Sequence, residues 1–168
     1  MKLYLAHPLD ERKWIREIEL LIEKGTGIEL VNPFYDTERT DVKDIDAGLV
    51  SRMSPDLDYN SIVNYDLSLI DNCQGVVAFL NNKRAVGTSC EMWYCMLKNK
   101  PVYVVSEDVI MHPWIRYIIE KSNGKGFESW EEFIEHFKYN GEAIKYMGQK
   151  GMGMSIPIRN LIKYDNTR

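Results

Sequence analysis

Short apolar runs alternate with segments of helical periodicity along the first two thirds of the chain. The clearest run is Gly75 to Leu80, which contains no polar side chain. A run of this kind is typical of a strand that is buried on both faces. Similar runs predict strands over 2–6, 28–31 and 101–105.

Helical periodicity appears between these runs. After Asp10, apolar residues recur at intervals of three and four up to Ile22, so we expect a helix with Asp10 as its N-cap and Gly25 as its stop. The order of strands and helices predicts an α/β fold with a small doubly wound parallel sheet, Rossmann- or flavodoxin-like, flanked by helices. The same periodicity predicts further helices over 60–72, 91–97, 113–121 and 130–138.

Two segments do not follow this pattern. Residues 37–58 are polar and rich in Asp, and we interpret them as a long loop with one short helix over 45–52, either a lid or binding loop or else disordered. Residues 139–168 form a C-terminal extension, for which we expect packing on a partner subunit. We expect 1–168 to be one domain, because a chain of 168 residues can form one substantial core but not two of ordinary size.

Charge and composition exclude several classes of function. The net charge is −4 and no cluster of Lys and Arg is larger than the pair Lys83-Arg84, which argues against a nucleic-acid partner. The three cysteines and three histidines lack the spacing of a disulfide framework or a zinc site, so we interpret the cysteines as core residues and expect neither metal nor cofactor. The first strand starts at residue 2 and no apolar run approaches a membrane span, so we expect a cytoplasmic protein without a membrane partner.

One carboxylate, Glu91, stands at the start of a helix that is otherwise apolar. In one interpretation it forms a capping box with Thr88 and reaches back to the Thr88 amide. In the other, the loop before it lies at the carboxyl edge of the sheet, where open α/β sheets bind their ligands. The helix dipole then keeps Glu91 ionised, as an electrostatic stabiliser or a nucleophile. The two interpretations are compatible.

We expect three loops to meet at that edge, because the carboxyl ends of parallel strands lie on one side of a sheet. These loops are 7–12, 32–36 and 81–91. Carboxylates and a tyrosine in an apolar crevice fit acid and nucleophile chemistry at an acetal-like carbon. Each candidate also has an ordinary structural interpretation, as a strand residue, a solvated charge or a loop residue. The candidates are Tyr4, His7, Arg12, Tyr35, Asp36, Asp66, Ser89 and Glu91.

Four short motifs follow one another along the chain. Their order and spacing resemble the nucleoside 2-deoxyribosyltransferase family over roughly residues 2 to 105. The loop 81–86 departs from the family, because many of its transferases carry there an aspartate that contacts the base. The motifs are Lys2-Leu3-Tyr4-Leu5-Ala6-His7-Pro8, Val31-Asn32-Pro33-Phe34-Tyr35, Tyr65-Asp66-Leu67 and Gly87-Thr88-Ser89-Cys90-Glu91, the last followed by Lys100-Pro101-Val102.

The resemblance implies cleavage of the N-glycosidic bond of a 2'-deoxyribonucleoside or its 5'-monophosphate. Glu91 matches the glutamate that attacks the anomeric carbon and forms a glycosyl-enzyme intermediate, which another base or water resolves. Tyr4 matches the tyrosine that orients this nucleophile. Asp66 matches an aspartate that binds a sugar hydroxyl or delivers a proton to the leaving base. The substrate-binding residues that we expect are His7, Arg12, Tyr35, Gly87, Thr88 and Ser89.

The resemblance also implies partners, which are a small nucleoside or nucleotide, a free nucleobase and further copies of the chain in a homo-oligomer. Several functions stay open beside deoxyribosyl transfer. One is hydrolysis of a nucleoside 5'-monophosphate to base and sugar phosphate. Another is a phosphoribohydrolase of the lysine-decarboxylase-like type, although the Pro-Gly-Gly that precedes its Gly-Thr-x-x-Glu element is missing before Gly87. The third is a nucleotide-sensing module that binds without catalysis.

Overall fold

The computed structural model describes residues 1–35, 41–43, 54–80, 85–107 and 111–138 of the chain. The predictions for 44–53 and for 139–168 lie outside these residues. The elements in chain order are β1 (Lys2–Ala6), a 3-10 turn (Leu9–Glu11), α1 (Arg12–Thr26), β2 (Glu29–Val31), α2 (Tyr59–Asp71), β3 (Gly75–Phe79), α3 (Val86–Leu97), β4 (Val102–Val105), α4 (Pro113–Lys121), β5 (Lys125–Phe127) and α5 (130–138).

The five strands of the described residues form one parallel sheet. Its order is β2-β1-β3-β4-β5, and each neighbouring pair is parallel. The chain runs from β1 to β2 on one side and returns to β3 on the other, as in a doubly wound sheet. The predicted α/β fold is therefore confirmed.

Helices cover both faces of the sheet. Alternate residues of a strand point to opposite faces, and β1 divides in this way. Leu3 and Leu5 pack with α1 and α5, whereas Tyr4 and Ala6 pack with α2, α3 and α4. Every residue of β3 is buried, which explains why its sequence is a continuous apolar run and not an alternating one.

The ends of α1 differ from the prediction. The helix follows a 3-10 turn that contains Asp10, so Asp10 is not its N-cap. The helix also continues through Gly25 and is capped by Gly27, whose φ of 69° lies in the left-handed region. Two glycines near a helix end both carry the sequence signal for a stop, and the helix ends at the one with positive φ.

Two further features correct the sequence analysis. The short strand β5 was not predicted, because its three residues include one buried side chain, Phe127, and form no apolar run. Cys73 and Cys95 are buried as predicted, and burial raises their pKa values to about 11 and about 12 respectively. Cys90 is exposed on α3, so the interpretation of all three cysteines as core residues is wrong.

The Lys100 side chain caps the carboxyl end of α2. Its ammonium group donates hydrogen bonds to the carbonyl oxygens of Ile70, Asp71 and Cys73 at 2.9, 2.7 and 2.8 Å. These carbonyls lie where the regular hydrogen bonds of the helix end. We expect Lys100→Met to lower the free energy of unfolding by about 1–3 kcal/mol, because the carbonyls lose a charged donor. Urea denaturation measures this loss.

Lys98→Met is the matched control for this prediction. The Lys98 ammonium forms an exposed ion pair with Asp71 at 3.3 Å, and exposed pairs contribute at most about 1 kcal/mol. If the two variants lose the same stability, Lys100 does not hold the end of α2 in the way described.

Candidate active site

The sheet reverses its winding direction between β1 and β3. Open α/β sheets bind their ligands in a crevice at such a switch point, outside the carboxyl ends of the strands. β1 ends at Ala6 and β3 at Phe79, so the loops that follow these residues border the expected crevice. The two helices α2 and α3 pack against each other on the same face of the sheet as Tyr4.

Tyr4 and Glu91 meet on this face of the sheet. The Tyr4 hydroxyl donates a hydrogen bond to Glu91 Oε1 at 2.6 Å, a length typical of a hydroxyl bound to a carboxylate. The Tyr4 ring is fully buried and Glu91 is half-buried. Because a ring packed in the core has no room to turn, the hydroxyl fixes the position of one carboxylate oxygen. Two of the predicted catalytic residues are thus brought together.

The sequence suggests a capping box between Thr88 and Glu91, and this interpretation is wrong. α3 begins at Val86 with Ala85 as its N-cap, so Thr88 lies inside the first turn and not before it. Glu91 lies further along the helix, and its side chain contacts Tyr4. Glu91 is therefore a carboxylate with one oxygen held in a fixed position, as a nucleophile requires.

Asp66, the third predicted catalytic residue, lies on α2 and is half-buried. One turn later on the same helix face, Ile70 is fully buried against the sheet. Residues four apart share a helix face, so Asp66 belongs to the side of α2 that faces the sheet. The Tyr94 hydroxyl on α3 donates to Asp71 at the end of α2, at 3.0 Å. Asp66 thus lies on the helix beside the one that carries Glu91.

His7 begins the loop after β1 and is buried, with 3% of its surface exposed. Its Nδ1 lies 3.1 Å from the Pro8 carbonyl oxygen, and its Nε2 lies 3.4 Å from Asn32 Oδ1. The ring packs edge-on against Phe34, with the centroids 4.9 Å apart. Burial lowers the pKa of His7. Both ring nitrogens face protein oxygens, so His7 lies between the loops that follow β1 and β2.

Arg12, the first residue of α1, contacts Tyr35 in the loop after β2. The Tyr35 hydroxyl donates to the Arg12 carbonyl oxygen at 3.2 Å, and Arg12 Nη1 donates to the Leu9 carbonyl oxygen at 3.0 Å. The Arg16 guanidinium lies over the Tyr35 ring, 5.0 Å from its centroid. The structure therefore brings these two predicted binding residues together. Asp36 lies outside the described residues.

Gly87, Thr88 and Ser89 belong to the start of α3, which has no side-chain hydrogen bond at its N-cap, Ala85. Gly87 is exposed, and a β-carbon added there would meet no heavy atom of the described chain within 4 Å. Thr88 is buried, and Ser89 Oγ donates to the Ala85 carbonyl oxygen at 2.9 Å. Backbone N–H groups at the open, positive end of a helix suit an anion.

Sequence analysis missed Glu19, which is buried with 2% of its surface exposed. Its Oε2 accepts a hydrogen bond from Asn32 Nδ2 at 2.8 Å, and its Oε1 contacts the Arg16 guanidinium. Burial raises the pKa of Glu19. The signal was present in the helical periodicity, since Glu19 follows Ile15 by four residues and precedes Ile22 by three. It therefore shares the buried face of α1.

Metal-binding clusters and membrane spans are both absent from the described residues. No cluster of three or more His, Cys, Asp or Glu side chains there is arranged to hold a metal ion. No helix in this part of the chain is both long enough and apolar enough to cross a membrane. The loop 81–84 before α3, which the sequence places beside the crevice, lies outside the described residues.

Comparison with known proteins identifies similar families and folds. The chain matches the family model of nucleoside 2-deoxyribosyltransferase over residues 3–159. It is similar to the solved structure of the 2-deoxyribosyltransferase from Bacillus psychrosaccharolyticus, with 17% identity and a TM-score of 0.53 over 80% of this chain and 90% of that chain. It is also similar to the CMP N-glycosidase of Clostridium botulinum, with 19% identity and a TM-score of 0.54 over 83% and 99%. No curated protein sequence matches it.

Proposed function

Because the chain belongs to the nucleoside 2-deoxyribosyltransferase family, we propose that it cleaves the N-glycosidic bond of a 2'-deoxyribonucleoside and transfers the deoxyribosyl group to another nucleobase. The single observation that carries this proposal is the hydrogen bond of 2.6 Å from Tyr4 to Glu91. A carboxylate whose oxygen is held by a buried hydroxyl has the fixed position that attack on an anomeric carbon requires.

In the first step, a Glu91 oxygen bonds to the anomeric carbon as the carbon–nitrogen bond breaks. The electron pair of that bond leaves with the nucleobase, which takes a proton from Asp66. In the second step, a nitrogen of the incoming base attacks the same carbon and loses its proton to Asp66, and the Glu91 carboxylate is released. Two displacements at one carbon retain its configuration. Water in place of the incoming base gives hydrolysis.

Asp66 suits the role of proton donor because it is half-buried on the side of α2 that faces the sheet. A general acid must come within hydrogen-bond reach of the group that it protonates. The helix of Asp66, α2, packs directly against α3, which carries Glu91.

We assign substrate binding to residues around the crevice. Arg12 and Tyr35, which contact each other, form one wall, from the start of α1 and the loop after β2. His7 supports this wall from inside, since its ring nitrogens face Pro8 and Asn32. At the opposite wall, the sugar contacts the start of α3, where the positions are Gly87, Thr88 and Ser89.

A second candidate function is hydrolysis of a nucleoside 5'-monophosphate to base and sugar phosphate. The observation that favours it is the first turn of α3. This turn has no side-chain hydrogen bond at its N-cap, and no heavy atom of the described chain lies within 4 Å of a β-carbon added at Gly87. Backbone N–H groups in such a turn bind phosphate. The two functions share Glu91 and differ in the acceptor and in the 5' group.

One experiment tests the proposal and separates the two functions. The protein is incubated with the four 2'-deoxynucleosides and their 5'-monophosphates, with and without a free nucleobase, and the products are followed by chromatography. Base exchange that requires the added base supports the transferase, and base release without it supports the hydrolase. Thermal stabilisation by these ligands with no turnover would instead indicate a nucleotide-sensing module.

We also propose that the enzyme is a cytoplasmic homo-oligomer, with contacts through an aromatic groove on α3 and α4. The groove has a volume of about 390 Å³ and is lined by Trp93, Pro113, Trp114 and Tyr117. Trp114 is 64% exposed, and Trp93 stacks on Tyr117 with ring centroids 6.1 Å apart. Large exposed aromatic surfaces mark interaction sites. When the same groove of a second copy packs against this one, each groove covers the aromatic side chains of the other.

We expect Trp114→Glu to lower the molar mass that light scattering measures, because a charge in the middle of an apolar interface opposes association. Trp14→Glu is the matched control, since Trp14 is also exposed, at 48%, but lies on α1 on the opposite face of the sheet. An unchanged mass for Trp114→Glu would show that this groove is not the contact between subunits.

A further inference from the structure

A buried hydrogen-bond network joins α1 to the loops that follow β1 and β2. Asn32 lies at its centre, donating from Nδ2 to Glu19 Oε2 at 2.8 Å and accepting at Oδ1 from the Phe34 amide at 3.1 Å. His7 Nε2 lies 3.4 Å from the same oxygen. Glu19, Asn32 and His7 are 2%, 7% and 3% exposed, so water does not compete for these contacts.

The polarity of the network is determined by Glu19. A carboxylate accepts hydrogen bonds but does not donate them, so the amide group of Asn32 turns its NH₂ toward Glu19 and its oxygen toward His7. His7 Nε2 must then be the donor. The other ring nitrogen, Nδ1, lies 3.1 Å from the Pro8 carbonyl oxygen, which is also an acceptor. Both ring nitrogens face acceptors, and the imidazolium form satisfies both.

Burial and neighbouring charges affect the ionisation of the two titratable groups of the network, His7 and Glu19. Burial disfavours a charge on His7, and the Arg12 guanidinium adds to this effect. Burial also disfavours a charge on Glu19, whereas the Arg16 guanidinium that contacts it favours the carboxylate. The negative charge of Glu23, one turn further along α1, disfavours the ionised form of Glu19. Glu19 and His7 both contact the side-chain amide of Asn32, so a change of charge on Glu19 reaches His7 through the hydrogen bonds of this amide.

We propose that Glu19 is a positioning residue, which acts through Asn32 and His7 to hold the loop after β1 against the loop after β2. Arg12 begins α1 directly after the first of these loops, and Tyr35 lies in the second. This inference therefore rests on the proposed function, in which both residues bind substrate. The Tyr35 hydroxyl donates to the Arg12 carbonyl oxygen at 3.2 Å, and this contact requires both loops to be in place. Tyr4 and Glu91 belong to β1 and α3, outside the network.

Loss of the Glu19 charge therefore impairs substrate binding more than chemistry. We expect Glu19→Gln to raise KM about tenfold and to change kcat by less than about twofold. Glu23→Gln is the matched control. It makes the same substitution on the same helix, and Glu23 Oε1 accepts from the Leu30 amide of β2 at 3.0 Å and not from either loop. KM is measured with the best substrate among the 2'-deoxynucleosides and their 5'-monophosphates.

The protonation of His7 provides a readout that does not depend on activity. The chain has three histidines, so the imidazole resonances are resolved by NMR, and His7→Gln assigns the one that belongs to position 7. We expect the pKa of His7 to fall in Glu19→Gln and to stay unchanged in Glu23→Gln. This measurement decides the inference even if the protein releases no base from any substrate in the panel.

An exchange of the two groups tests the coupling directly. In Glu19→Gln with Asn32→Asp, the amide and the carboxylate change places, and the carboxylate then accepts from His7 itself. We expect the double variant to restore KM to within about threefold of the original and to raise the pKa of His7, whereas either single variant raises KM. Equal KM values for Glu19→Gln and Glu23→Gln, or losses that simply add in the double variant, would overturn the proposal.

Discussion

Glu91→Gln is expected to lower kcat by roughly 10⁴- to 10⁶-fold, a loss typical of removing a covalent nucleophile. Glutamine has nearly the same shape and still accepts the hydrogen bond from Tyr4, but its neutral carbonyl oxygen does not displace a nucleobase. Because Glu91 is half-buried at the crevice and not in the core, we expect the fold and the affinity for nucleoside to be kept. Steady-state rates of base release, with circular dichroism of the variant, measure this.

Glu120→Gln is the control for the loss of one carboxylate. Glu120 lies exposed on α4 and forms an ion pair with Arg116 at 3.5 Å, so its neutralisation should leave kcat unchanged. If Glu91→Gln retains a rate within about tenfold of the original enzyme, Glu91 acts through binding or electrostatics and not as a covalent nucleophile.

Tyr4→Phe is expected to lower kcat by about 10²-fold with a small effect on KM, because the nucleophile loses the contact that fixes its position. The phenylalanine ring fills the same place in the core, where Tyr4 is fully buried. The free energy of unfolding should therefore change by no more than about 1.5–3 kcal/mol, the value of one hydrogen bond to a charged group. Rates and urea denaturation together separate the two effects.

Tyr94→Phe provides a close comparison. Tyr94 also donates its hydroxyl to a carboxylate, that of Asp71 at 3.0 Å, but this contact joins α2 to α3 at the exposed surface. We expect kcat to stay within about twofold of the original value, because the reacting residues keep their positions. Similar losses of kcat in the two variants would contradict a specific role for the Tyr4 hydroxyl.

Much of the fold is predictable because buried parallel strands have a recognisable sequence pattern, a continuous run of apolar residues. β3 is buried at every position, and its sequence is an apolar run. The winding of the sheet then follows from the order of elements, and with it the edge where Glu91 lies. The contact between Tyr4 and Glu91 spans 87 residues, and it entered the sequence analysis through the family resemblance and not through periodicity.

Other features depend on tertiary contacts that one sequence does not encode locally. β5 is recognised through its pairing with β4, since its three residues form no apolar run. The buried carboxylate of Glu19 is stabilised by Asn32, thirteen residues away on another element. The helical periodicity of the sequence places Glu19 on the apolar face of α1, but it does not show which residue forms a hydrogen bond with it. Networks of this kind join elements, so their polar members look like surface residues in the sequence.

The central claim is that Glu91 forms a covalent bond with the sugar, and detection of that bond tests it most directly. The protein is mixed with a 2'-deoxynucleoside in the absence of an acceptor base, quenched in acid within milliseconds to seconds, and analysed by intact and peptide mass spectrometry. We predict one added deoxyribosyl group on the peptide that contains Glu91, absent from Glu91→Gln and removed when acceptor base is supplied. Base release without any adduct, or an adduct on a different residue, would contradict the account.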